Sequence, residues 1–150
     1  MSLIRVDFYL LTATDPQAPW LVACRLLEKA YQRGHRVFVH CENQTDAEHL
    51  DECLWTFKDE SFIPHHLQGE GPIPAPPVQI GHGPEPHGFN DILLNLSSTI
   101  PPFYSRFRRV IEIVSENPAA KEISRNHYRE YRAKSCEMHT HNLYCAMNDI

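Results

Sequence analysis

Lys121, Arg125, Tyr128 and Arg132 stand at intervals of four, three and four in a segment with helical character. At about 100° per residue these four fall in one narrow stripe, while Ala120, Ile123, His127 and Tyr131 centre on a face more than about 90° away. One face packs and the other presents cations around a ring. The plain reading is a solvated basic face with an exposed tyrosine. The chemical reading is a slot for an acidic peptide, in which Arg forks a carboxylate, Lys and the second Arg steer charge, and the tyrosine supplies an apolar wall. Val114, closing the preceding strand segment, is placed to line the same slot.

Other constellations carry less. Cys136-x-x-His139-x-His141-x-x-x-Cys145 has ligand types suited to zinc, but its spacing fits no common zinc module, so no metal site is expected. His65, His66, His82 and His87 read as surface loop histidines. No nucleophile motif of the G-x-S-x-G kind occurs, and neither Asp7 nor Asp91 has a catalytic companion, so no catalytic residue is assigned. A phosphate loop is absent; Gly69-Glu70-Gly71-Pro72 is turn chemistry, because its Glu repels phosphate and its Pro lacks a donor. No cofactor is expected.

Two aromatic stretches leave alternatives open. Leu54-Trp55-Thr56-Phe57 with Ser61-Phe62-Ile63-Pro64 is ordinary core if buried and a partner surface if exposed. Phe103, Tyr104 and Phe107, interleaved with Arg106, Arg108 and Arg109, have the residue types of a single-strand stacking platform, although prolines nearby favour core packing.

These residues must be held by a scaffold, and its elements are legible. Val6–Leu11 and Arg36–Cys41 are apolar, β-rich runs that read as buried strands. Between them, Ala23, Leu26, Leu27, Ala30 and Tyr31 follow helical spacing, with Gly34 as left-handed terminator. Thr45-x-x-Glu48 has capping-box spacing ahead of Ala47, Leu50, Leu54 and Phe57. Strand, helix, strand and helix joined by short turns imply a parallel α/β layered fold. Residues 68–88 are loop around one short strand at Val78-Gln79-Ile80. Asp91–Leu96 and Arg109–Val114 read as further strands. The last helix is expected from Asn117-Pro118 to about Ala133. A single domain over 1–133 and a poorly ordered tail over 134–150 follow.

The chain has 150 residues, 42% hydrophobic and 22% charged, which is globular composition. Its net charge of −5 divides unevenly: residues 1–104 hold 6 basic and 13 acidic side chains, residues 105–150 hold 8 and 6. Ten of the 14 cations are Arg, which favours forked recognition of an anion. Five irregularly spaced cysteines form no disulfide framework, and Cys24, Cys41 and Cys53 read as small buried hydrophobes. With no secretory pattern at Met1–Asp7 and no long apolar run, a cytoplasmic protein without membrane contact is expected.

In order along the chain, Val6-Asp7-Phe8-Tyr9-Leu10-Leu11, Gly34-His35-Arg36-Val37, Leu50-Asp51-Glu52-Cys53-Leu54-Trp55, Glu60-Ser61-Phe62-Ile63-Pro64-His65, Gly69-Glu70-Gly71-Pro72, Pro77-Val78-Gln79-Ile80, Asp91-Ile92-Leu93-Leu94-Asn95-Leu96 and Tyr128-Arg129-Glu130-Tyr131-Arg132 resemble the chi subunits of bacterial DNA polymerase III. The resemblance implies a three-layer α/β/α Rossmann-like sandwich with a largely parallel sheet, and a non-catalytic accessory subunit of the clamp-loader assembly. It implies two partners, the psi subunit and single-stranded-DNA-binding protein, whose acidic C-terminal tail ends in Pro-Phe with a free carboxylate. Carried over, the tail-binding slot is Val114, Lys121, Arg125 and Tyr128, to which the helical stripe adds Arg132 as an attractor of the tail's acidic residues, and the psi interface is Trp55 and Phe62. Contact with DNA is then mainly indirect. Two other functions remain open at this stage, a module that binds single strands directly and a nucleotide-binding α/β enzyme.

Overall fold

The computed structural model describes residues 3–12, 15–58, 62–71 and 74–143. Their core is one seven-stranded sheet in which every pairing is parallel, in the order β3-β4-β2-β5-β6-β1-β7. The strands are β1 Arg5–Leu10, β2 Val37–His40, β3 His65–Leu67, β4 Val78–Gly81, β5 Ile92–Asn95, β6 Arg109–Val114 and β7 Glu137–Asn142. Helices α1 (Ala18–Gln32) and α2 (Gln44–Thr56) cover one face, and α3 (Pro118–Ala133) covers the other over β6, β1 and β7. This is the α/β/α sandwich expected of the chain.

Two apolar clusters fill the layers. Tyr9, Val37, Val39, Ile92, Leu94 and Ile111 meet Leu26, Leu27 and Leu50 of α1 and α2. Val6, Phe8, Phe38, Leu93, Val110 and Val114 meet Tyr131 of α3 together with Phe89, Phe103 and Phe107 from the connections. The strands alternate faces residue by residue but are apolar on both, as a parallel sheet covered on both sides requires. Gly34 closes α1 at φ +81°. Buried as expected, Cys24 and Cys41 have thiols pushed up to about 12 by desolvation.

Several expectations need correction. The segment beyond Lys134, expected to be a poorly ordered tail, contains β7, which pairs with β1 along its whole length. Its sequence carries little strand signal because an edge strand with one open side can be polar. Asn43, rather than Thr45, caps α2, its side-chain oxygen accepting from the Asp46 N–H at 2.8 Å. His65 is no surface histidine, since its side chain is 1% exposed and lies 3.3 Å from Asp51. Ile123, placed by periodicity on the packing face of α3, is 37% exposed, because the first turns of α3 extend past the strand ends.

Candidate functional site

Helix α3 starts sharply. Pro118 occupies its first position, and the Asn117 side chain accepts from the Ala119 and Ala120 N–H groups at 2.8 and 3.3 Å. A buried polar network then fixes its rotation on the sheet. Glu112, on the α3 face of β6, accepts from Asn95 Nδ2 at 3.0 Å, from the Tyr131 hydroxyl at 2.6 Å, and from His127 Nδ1 at 2.9 Å. His127 Nε2 lies 2.9 Å from the Ser98 carbonyl. Both ring nitrogens therefore face acceptors, which only the imidazolium satisfies as a double donor. Burial by itself lowers the His127 pKa, but the hydrogen bond and charge of Glu112, with the Ser98 carbonyl, outweigh it and leave the pKa raised.

With that face anchored, the opposite flank of α3 is set against β1, β6 and β7. It encloses a pocket of about 250 Å³. Phe8 and Leu10 of β1 and Val114 of β6 form its apolar floor, Thr140 of β7 one side, and Lys121, Ser124, Arg125 and Tyr128 the helical wall. The Tyr128 and Phe8 rings are 5.5 Å apart at 57°, a tilted pair that holds the wall to the floor. Lys121 Nζ pairs with Glu116 at 2.9 Å and Arg125 Nη1 with Glu122 at 3.0 Å. Both pairs are substantially exposed, so they are weak and exchangeable for another carboxylate. An apolar hollow under two such cations has the chemistry to hold an apolar side chain next to an anion.

Of the residues singled out from the sequence, Val114, Lys121, Arg125 and Tyr128 come together here. Arg132 shares their helix and is exposed, but lies beyond the pocket lining. Phe8, Leu10, Ser124 and Thr140 were not anticipated. The available signal for the first two was the parity of Val6, Phe8 and Leu10 along β1, which puts all three on the α3 face.

Trp55 and Phe62 form a second exposed feature, 54% and 64% accessible with ring centroids 5.8 Å apart. The choice between core and surface is thereby decided for these two rings. Trp55 also leans on the His65 ring at 4.7 Å. Phe103 and Phe107, in contrast, are buried in the α3-side core, so neither ring is available to stack a base. Arg109 is equally committed, pairing with Asp7 at 2.7 Å.

A larger crevice of about 370 Å³ opens where parallel α/β folds commonly bind ligands, outside the carboxyl ends of β2, β5 and β6. Several of its polar groups are engaged internally. Glu42 accepts from the Ser98 N–H and hydroxyl, and Asn95 and Glu112 belong to the network under α3. The backbone and side-chain hydrogen bonds from Ser98 lower the Glu42 pKa.

The remaining candidates are structural. Asp7 is fully buried and accepts from Arg5, Arg109 and His141. Burial would raise its pKa, but the Arg5 and His141 hydrogen bonds and the Arg109 charge hold it below the usual carboxylate range. Asp91 faces His35 and the Arg36 N–H. Cys136 packs in the α3-side core, whereas His141 stacks on Tyr9 on the other face of the sheet, so these Cys and His residues are divided between two faces; Cys145 lies outside the described residues. Among the described residues no group of three or more His, Cys, Asp and Glu is arranged to hold a metal. No helix among them is long and apolar enough to cross a membrane.

Fold and surface first define a class: a parallel α/β/α protein carrying a cation-rimmed apolar pocket and a separate exposed aromatic pair. Residues 3–139 match the family model described as DNA polymerase III chi subunit, HolC. The chain is 41% identical over 139 residues to DNA polymerase III subunit chi of Pseudomonas aeruginosa, covering 93% of this chain and 96% of that one. It is 33% identical to the Escherichia coli subunit chi, over 89% and 94% of the two chains. The Haemophilus influenzae subunit chi is 31% identical, over 91% and 96%. The chain belongs to the DNA polymerase III chi subunit family and is a replication accessory subunit.

Proposed function

We propose that this chain links the clamp-loader assembly to single-stranded-DNA-binding protein by capturing that protein's acidic C-terminal tail in the pocket under α3. The observation that carries the reading is the apolar floor of Phe8, Leu10 and Val114 lying directly beneath Lys121 and Arg125. Arg125 forks the terminal carboxylate, Tyr128 and Val114 cup the last side chain, and Lys121 with Arg132 attracts the acidic residues before it. The chain has no active site of its own, and its association with DNA runs through the captured protein in the cytoplasm.

The exposed Trp55 and Phe62 rings supply the second contact, with the psi subunit. Paired aromatics of this exposure are the usual anchors of protein interfaces. The experiment for the tether is binding of the full chain to intact single-stranded-DNA-binding protein and to the same protein without its tail. Loss of binding on tail removal is expected, and undiminished binding overturns the reading. For the second contact, Trp55→Ala with Phe62→Ala is expected to abolish the complex with psi while tail binding persists.

A further inference from the structure

We infer that the outer edge of β7 is part of the same binding surface and takes up the extended segment upstream of the captured residue as an eighth, parallel strand. The inference rests on the pocket under α3 being a peptide site. Strand β7 closes one end of the sheet order, and among the described residues it pairs with β1 alone. The Glu137 N–H donates to the Ile4 carbonyl. In a parallel ladder inward and outward amides alternate, so those of Met138, Thr140 and Asn142 point away from the sheet. Thr140 has its side chain in the pocket and its N–H at the open edge. The pocket and the edge are therefore continuous through one residue.

Direction and charge agree with this placement. The pocket sits at the carboxyl end of β7, so a peptide running parallel to β7 arrives there with its own C-terminus. Helix α3 runs against the strands, and Arg132 lies seven residues beyond Arg125, about 10 Å further along the helix axis at 1.5 Å per residue. About three residues of an extended strand span that distance. An acidic residue three positions before the peptide's end would thus stand level with Arg132, which is exposed and makes no ion pair among the described residues. The carboxylate of Glu137 lies on the other face of the sheet, held 2.9 Å from His139, and does not oppose the peptide.

The test uses the full chain and synthetic acidic peptides that end in an aromatic residue with a free carboxylate. A ten-residue peptide is compared with its last four residues alone, and with two ten-residue versions N-methylated at alternate upstream amides, one set in each register. Amide hydrogen exchange of β7 is followed with and without peptide. The ten-residue peptide is expected to bind about fivefold or more tightly than the four-residue one. Methylation in one register should remove that gain, methylation in the other should not, and exchange should slow at Met138, Thr140 and Asn142. If both methylated peptides bind like the parent and β7 exchange is unchanged while Arg125→Ala still weakens binding, the edge assignment is wrong and the pocket stands. If no peptide binds, both fail.

Discussion

Two of the depressions beside the first turns of α3 share Ser124 and have opposite characters. The crevice at the carboxyl ends of β2, β5 and β6 is the larger of the two and carries more carboxylates and hydroxyls, but Glu42, Asn95, Ser97, Ser98 and Glu112 are bonded within the protein. The pocket on the other flank is smaller, its floor is apolar, and its cations Lys121 and Arg125 pair with a half-buried and an exposed glutamate. Groups at the position that α/β sheets usually give to a ligand brace α3 here, and the proposed peptide site lies on the flank that the brace orients. Fold alone would point to the crevice; the state of the side chains favours the pocket proposed here as the tail site.

If that contrast holds, damage to the crevice costs stability and damage to the pocket costs binding. The largest effect is expected from Glu112→Ala, which strands the buried donors of Asn95, His127 and Tyr131 and should destabilise the fold by about 3 kcal/mol or more in urea unfolding. A loss near that of a surface substitution would show that the network is not a brace.

A pH series sharpens the same point. Because the folded-state pKa of His127 is raised, its contribution is complete below the unfolded value of about 6.5 and is lost as pH rises through the folded value. The stability advantage of the wild type over His127→Gln should therefore be greatest in mild acid and shrink towards alkaline pH. A constant difference would contradict the doubly donating imidazolium. The opposite sign applies to Asp7, whose lowered pKa gives a contribution present above about 3.9 and lost as pH falls through the folded value.

The smallest effect belongs to Glu122, the exposed partner of Arg125. Glu122→Gln frees Arg125 from an exposed pair separated by three residues, so peptide affinity at low salt should rise by about twofold at most and the gain should vanish at high salt. Weaker binding would mean that Glu122 positions Arg125 instead of competing for it.

Legibility in the sequence followed physical contrast. Arg109–Val114 is read to the residue because a β-branched run is bounded by Arg and Ser, and α3 because Asn117-Pro118 marks its start chemically. Strand β7 is hidden because Glu137-Met138-His139-Thr140-His141-Asn142 has only one apolar side chain, and its strand character comes from pairing with β1. Strand β3 is three residues long and offers too little pattern. The helical half of the pocket is visible because 3.6-residue periodicity turns spacing into a face. Its floor is not, because Phe8 and Leu10 look like any buried strand residues until α3 is seen to stop short of covering Leu10, which is 38% exposed.

The central claim is that Arg125 binds a carboxylate and contributes nothing essential to the fold. Titration of a labelled acidic tail peptide against wild type and Arg125→Ala, with thermal unfolding of both, tests it directly. The account predicts affinity lower by about tenfold or more with an unchanged unfolding midpoint. Equal affinities would contradict it.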